Sequence, residues 1–97
     1  MGPFHVGGEV SRPIKISAPQ PQYTEAARQA RVQGVVIVQA IIDCTGTVTS
    51  VTVLKALPLG LSEAAVEAIS QWRFEPARVN GSPVSVYYNL TVNFRLQ

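Results

Sequence analysis

Val84-Ser85-Val86-Tyr87-Tyr88-Asn89-Leu90-Thr91-Val92-Asn93-Phe94-Arg95-Leu96 alternates apolar and polar side chains almost without a break. Val84, Val86, Tyr88, Leu90, Val92, Phe94 and Leu96 fall on one face; Ser85, Tyr87, Asn89, Thr91, Asn93 and Arg95 fall on the other. A period of two sustained this far predicts a strand with one buried and one wet face. At roughly 3.3 Å per residue it would span about 43 Å, about twice a usual strand. Such a strand either runs past its neighbour or presents an unpaired edge. That edge is weakly protected, because no proline follows Pro83 and Arg95 is its one charge.

The neighbour is Val35 to Asp43, apolar at nearly every position and rich in β-branched residues, which predicts a central strand. Asp43-Cys44-Thr45-Gly46 turns the chain into a second strand, Thr47 to Leu54. Thr24 is placed to cap a helix over Glu25 to Gln33, with Ala26, Ala27, Ala30 and Val32 as its buried stripe and Gly34 as its left-handed stop. Ser62 is placed to cap a second helix from Glu63 to about Arg73. Leu61, Ala65, Ala68, Ile69 and Trp72 share one face of it, and Pro76 ends it. Trp72 and Phe74 are read as core aromatics. Asn80-Gly81 predicts a tight turn before the last strand. Pro13 to Ser17 is a short extended piece, and Ala18-Pro19-Gln20-Pro21-Gln22 is held out of helix by its prolines. Residues 1–12 carry no apolar periodicity and read as a flexible lead-in or the remnant of a linker or tag; residues 13–97 form one folded domain.

Composition narrows the function classes. Of 97 residues, 46% are apolar and 14% charged, which selects a packed globule over a disordered chain. The longest apolar run, Val35 to Val38, is far below the roughly 20 residues a membrane helix needs. No signal peptide is visible, so export of the domain would be directed from outside this sequence. Eight Lys and Arg give a net charge of +2 but are scattered, whereas a phosphate-binding surface clusters them; no nucleic-acid partner is expected. One cysteine, Cys44, and one histidine, His5, supply neither a disulfide nor a metal site. The six acids show no paired spacing, and no base stands beside a nucleophile, so no enzyme, cofactor or metal is expected.

The order extended segment, helix, hairpin, helix, strand also fits a ferredoxin-like RNA-recognition layout. That module stacks bases on exposed strand aromatics, and Thr47 to Leu54 has none. The details resemble instead the C-terminal domain of the TonB family of energy transducers. The matching residues are Gln20-Pro21-Gln22-Tyr23, Ala26-Ala27, Gly34-Val35-Val36, Ile42-Asp43 and Gly46-Thr47-Val48. They continue through Ala64-Ala65, Trp72-Arg73-Phe74-Glu75-Pro76-Ala77, Asn80-Gly81 and Val92-Asn93-Phe94, so the resemblance spans about residues 18 to 96. Thr24 departs from it, where the family usually has proline, but either residue begins a helix.

The resemblance implies an α+β two-layer sandwich, a three-stranded antiparallel sheet with two helices on one face, Val35–Asp43 central and Val84–Leu96 at an edge. It implies a periplasmic domain of a protein anchored in the bacterial inner membrane and driven by the ExbB–ExbD motor through regions absent from this chain. The implied partner is the TonB box peptide of an outer-membrane TonB-dependent transporter, added as a strand to the sheet edge during iron-siderophore or vitamin uptake. Gln20 would lie against that peptide, with Gln22, Tyr23, Ser85, Tyr87, Asn89, Thr91 and Asn93 as further partner-binding residues. Three alternatives stay open for the edge and its loop. Gln20 and Gln22 are solvated loop residues and Tyr23 packs on the sheet; the edge pairs a homodimer; or Pro13–Ser17 covers it. A different envelope-spanning machine is the alternative to transport.

Overall fold

The computed structural model describes residues 2–96; Met1 and Gln97, the outer ends of the two expected segments, lie outside the described residues. In chain order the elements are β1 (Phe4–His5), β2 (Ile14–Ser17), α1 (Glu25–Gln29), β3 (Gly34–Ile42), β4 (Val48–Lys55) and α2 (Leu61–Ser70). They continue with β5 (Arg73–Glu75), β6 (Ala77–Val79), β7 (Ser82–Val84) and β8 (Val86–Phe94). The main sheet has four strands in the order β1-β8-β3-β4, one more than the three expected. The additional strand comes from the lead-in: β1 pairs parallel to β8, Phe4 opposite Val86 and His5 opposite Tyr87.

β3 is central, as its near-continuous apolar sequence predicts, and pairs antiparallel with both β8 and β4. Its even positions Val36, Val38, Ala40 and Ile42 meet Val86, Leu90, Val92 and Phe94 of β8 in one core. Ala27 of α1 and Leu61, Ala65 and Ile69 of α2 close that core from the helical layer. Burying each large apolar side chain stabilises the fold by about 1.5–3 kcal/mol. The odd face of β3 is only half-buried. Its Val35 and Ile37 are flanked by Asn93 and Thr91 of β8, and these polar neighbours shield the apolar stripe without a second layer.

The final strand is shorter than its alternation implies. β8 matches β3 residue for residue over nine pairs, so nothing overruns. Val84 belongs instead to the β6–β7 hairpin, whose two-residue turn Asn80-Gly81 has both φ angles positive, 51° and 82°. Alternation continues across Ser85 because Val84 and Val86 both face the core from different sheets.

The helix expectations are corrected in both helices. α1 stops at Gln29, not Gln33, because Arg31 takes the left-handed conformation (φ 57°) expected of Gly34. The Arg31 and Val32 N–H groups donate to the carbonyls of Arg28 and Ala27, 3.1 and 2.9 Å, closing the helix as a Schellman motif. Ala26 and Ala30 are therefore exposed, and of the predicted stripe only Ala27 is fully buried. α2 starts from Gly60, while the Ser62 hydroxyl bonds both N–H and C=O of Leu57. It ends before Arg73, because Arg73–Glu75 is drawn into a two-stranded ribbon with β2.

Candidate functional site

The sheet has two outer edges, and they differ. β4 breaks register with β3 twice and carries Lys55 at its end, the bulges and charge by which an edge resists pairing. β8 keeps an unbroken register with β3 and carries no charge between Val86 and Phe94. Its outer edge has no such protection.

The direction of its backbone groups follows from one bond. The Phe4 N–H donates to the Ser85 carbonyl at 2.8 Å, so that carbonyl points away from β3. With a period of two, the N–H and C=O of Tyr87, Asn89, Thr91 and Asn93 point the same way. β1 engages this edge at Ser85 and Tyr87, where His5 also stacks on the Tyr87 ring with centroids 4.9 Å apart. Beyond Tyr87, among the described residues, no strand is paired with it. Gly7 (φ 129°) and Gly8 (φ 58°) turn the lead-in off the edge, and Gly7 closes a tight loop onto Val10 by mutual N–H to C=O bonds.

Beside the open edge lies a groove of about 290 Å³. Thr91, Val92 and Asn93 form one wall, and because three consecutive residues line it, the wall is the strand's edge and not either of its faces. Lys15 of β2, Gln20 and the Trp72 indole form the other. Trp72 is 5% exposed, and its Nε1–H donates to the Pro19 carbonyl at 2.9 Å, which fixes the Pro-rich segment across the end of α2. Thus β2 does not cover β8; its pairing with β5 holds it across the groove.

The predicted site residues divide accordingly. Gln20, Thr91 and Asn93 meet at the groove, and Asn89 lies exposed on the same open edge. Ser85 and Tyr87 are on the edge but already engaged by β1. Gln22 faces a separate depression with Ala64, Glu67, Ala68 and Gln71 of the α2 side. The Tyr23 hydroxyl donates to the Val32 carbonyl, and its ring meets Phe94 edge-on with centroids 5.5 Å apart, so it ties the α1 connection to the sheet. Lys15, Ala18, Pro21, Trp72 and Val92 were not among the predicted site residues. Ile14-Lys15-Ile16 alternates in an ordinary way, and pairing with β5, not a local signal, sets which side of it meets the groove. Among the described residues no three His, Cys, Asp or Glu gather as metal ligands.

Comparison with known proteins bears on this arrangement. Residues 19–96 match the family model for the Gram-negative bacterial TonB protein C-terminal. The chain belongs to the TonB C-terminal domain family. Over 90 residues it is 31% identical to Protein TonB of Vibrio cholerae, covering 91% of this chain and 37% of that protein. Over 77 residues it is 39% identical to Protein TonB of Xanthomonas campestris pv. campestris, covering 78% and 34%. The chain thus spans about a third of the length of these relatives. The solution NMR structure of the Pseudomonas aeruginosa TonB CTD superposes with a TM-score of 0.68 at 25% identity, covering 94% of this chain and 90% of that one.

Proposed function

We propose that this TonB C-terminal domain receives the TonB box of an outer-membrane transporter as an added strand on β8, between Tyr88 and Phe94, with Gln20 beside it. The observation that carries the reading is the contrast between the edges: β4 is bulged and ends in a charge, β8 is straight, uncharged and open past Tyr87. Strand addition suits a mechanical coupling, because main-chain hydrogen bonds grip with little dependence on sequence. Each contributes only about 0.5–1.5 kcal/mol net, while ordering each peptide residue costs about 1–2 kcal/mol. The edge alone therefore gives weak, reversible binding, and contacts in the groove supply the surplus. In this reading the domain lies in the periplasm and belongs to an inner-membrane-anchored energy transducer. Its ExbB–ExbD motor acts through regions outside this chain, and the work drives iron-siderophore or vitamin uptake.

Titration of the isotopically labelled domain with TonB box peptides tests this. Backbone amide shifts are expected at Gln20 and from Asn89 to Asn93. Thr91→Pro removes an N–H that points outward and so costs no β3 bond; the variant should fold and lose binding. No shifts at millimolar peptide, or unchanged affinity in a folded Thr91→Pro domain, refutes the assignment.

A further inference from the structure

Arg95 lies far along the chain from Arg28 and Arg31, and the fold brings all three to one depression. Its volume is about 600 Å³, and Tyr23, Arg28, Gln29, Arg31, Arg95 and Leu96 line it. None of these residues lines the groove beside β8, and no acid is among them. The Tyr23 ring, edge-on to Phe94, ties the α1 side of the depression to the end of β8. The Gln33 side chain accepts from the Leu96 N–H at 2.9 Å and holds the segment that carries Arg95. Charges scattered along the sequence are thus gathered in space, as an anion site requires.

These three arginines are not committed to the fold. By contrast, the Arg73 guanidinium donates to the carbonyls of Gln71 and Trp72, and that of Arg78 donates to the Gly81 carbonyl. Arg28 has only a long pair with the exposed Glu25, 3.9 Å. Among the described residues the side chains of Arg31 and Arg95 have no hydrogen-bond or ion-pair partner. Arg31 moreover stands at φ 57°, the position where glycine commonly closes a helix. A left-handed backbone is costly for any residue with a Cβ. An arginine kept there without an internal partner points to a role for its charge.

We propose that this depression binds a phosphate monoester. Of its three guanidinium charges Glu25 opposes one, which leaves about two to be met from outside. A phosphate monoester carries nearly two negative charges at neutral pH and three free oxygens, one for each arginine. Guanidinium forks meet such oxygens in pairs. A carboxylate offers one charge and two oxygens, and a phosphodiester one charge, so each leaves part of the basic set unanswered. No further cation lines the depression, so a nucleic-acid backbone finds no track to follow. A soluble phosphate ester and a lipid headgroup ending in a phosphate monoester share the required chemistry. The site is independent of strand addition, because it has no residue in common with the β8 groove.

The probes are ethyl phosphate, diethyl phosphate and propionate, titrated into the isotopically labelled 97-residue protein and followed by backbone amide and arginine Nε–H shifts. Ethyl phosphate should move the signals of Arg28, Arg31 and Arg95 and leave those of Arg12, Arg73 and Arg78 in place. Its binding should tighten as pH rises past the second phosphate pKa, about 6, and weaken at high salt. Arg31→Gln and Arg95→Gln should each weaken it about two- to fivefold, the range of a solvent-exposed ion pair. Arg31→Gly keeps the left-handed turn, so it should melt at least as high as the parent protein yet bind as weakly as Arg31→Gln. Vesicles of phosphatidylcholine carrying phosphatidic acid or phosphatidylglycerol distinguish the sources. Cosedimentation with phosphatidic acid but not phosphatidylglycerol assigns the site to a lipid headgroup, and soluble binding alone assigns it to a free ester. Equal shifts from propionate or diethyl phosphate, shifts spread over all the arginines, or unchanged ethyl phosphate binding in Arg31→Gly overturns the proposal.

Discussion

Gly46 and Gly81 share a backbone conformation, φ 85° and 82°, but not an environment, and the pair isolates one contact. Gly46 closes the β3–β4 turn beneath β5. A Cβ built there lies 1.8 Å from the Phe74 carbonyl oxygen and 2.9 Å from its carbonyl carbon. At Gly81 a Cβ meets nothing within 4 Å. Gly81→Ala should therefore cost only the left-handed conformation, about 1 kcal/mol. Gly46→Ala incurs the same cost and must also drive two backbones apart by more than an ångström. That breaks the bond from the Phe74 N–H to the Gly46 carbonyl, 3.0 Å, worth about 1 kcal/mol. Overpacking against a fixed backbone adds about 1–3 kcal/mol, for a total near 4 kcal/mol. A domain of this size has about 5–15 kcal/mol in all, so the melting temperature should fall by about 15 °C or more. Urea and thermal unfolding followed by Trp72 fluorescence measure both variants. If they differ by less than about 1 kcal/mol, the close approach of the turn to β5 is not what demands glycine, and the reasoning fails.

Two further outcomes follow from the same geometry. The Asp43 Oδ1 accepts from the Thr45 hydroxyl (2.6 Å) and from the N–H groups of Thr45 and Thr47, and these bonds, the Thr45 hydroxyl foremost, hold its carboxyl below the ordinary 3.8 against a smaller opposing desolvation. A depressed carboxylate stabilises the fold above its unfolded pKa and loses that contribution as pH falls through its folded one. Asp43→Ala should thus destabilise at neutral pH and flatten the loss of stability below about pH 4 in acid unfolding; an unchanged acid limb counts against the turn's role. Removing residues 2–8 should cost little stability, since Phe4 and His5 are exposed, while releasing the Tyr87 amide to fast hydrogen exchange. Continued protection of Tyr87 would show that β1 is not its partner.

The strands and their faces were legible because side-chain period reports the buried side directly: β3, β4 and the even positions of β8 lie where their alternation and β-branched runs place them. The Asn80-Gly81 turn was equally local. The end of α1 was not, because Arg31 adopts a conformation its own side chain disfavours, held there by its N–H bond to the Arg28 carbonyl and by that of Val32 to the Ala27 carbonyl. Gln20 was placed at the edge by family resemblance, and its groove could not be read from its neighbours. The groove needs Trp72, fifty-two residues on, bonded to Pro19, and β2 held away from β8 by β5.

The amino-acid sequence by itself determined that this chain makes a half-buried sheet ending in an unguarded strand, because hydrophobic period and turn chemistry act within a few residues. Only the tertiary structure decided how much of that strand's edge stays open and what stands beside it. β1 takes the first part and the Gly7-Gly8 turn frees the rest. Lys15 faces the opening because pairing with β5, a contact nearly sixty residues away in the chain, sets which side of β2 looks inward. Register between distant strands is a global choice, and no local pattern encodes it.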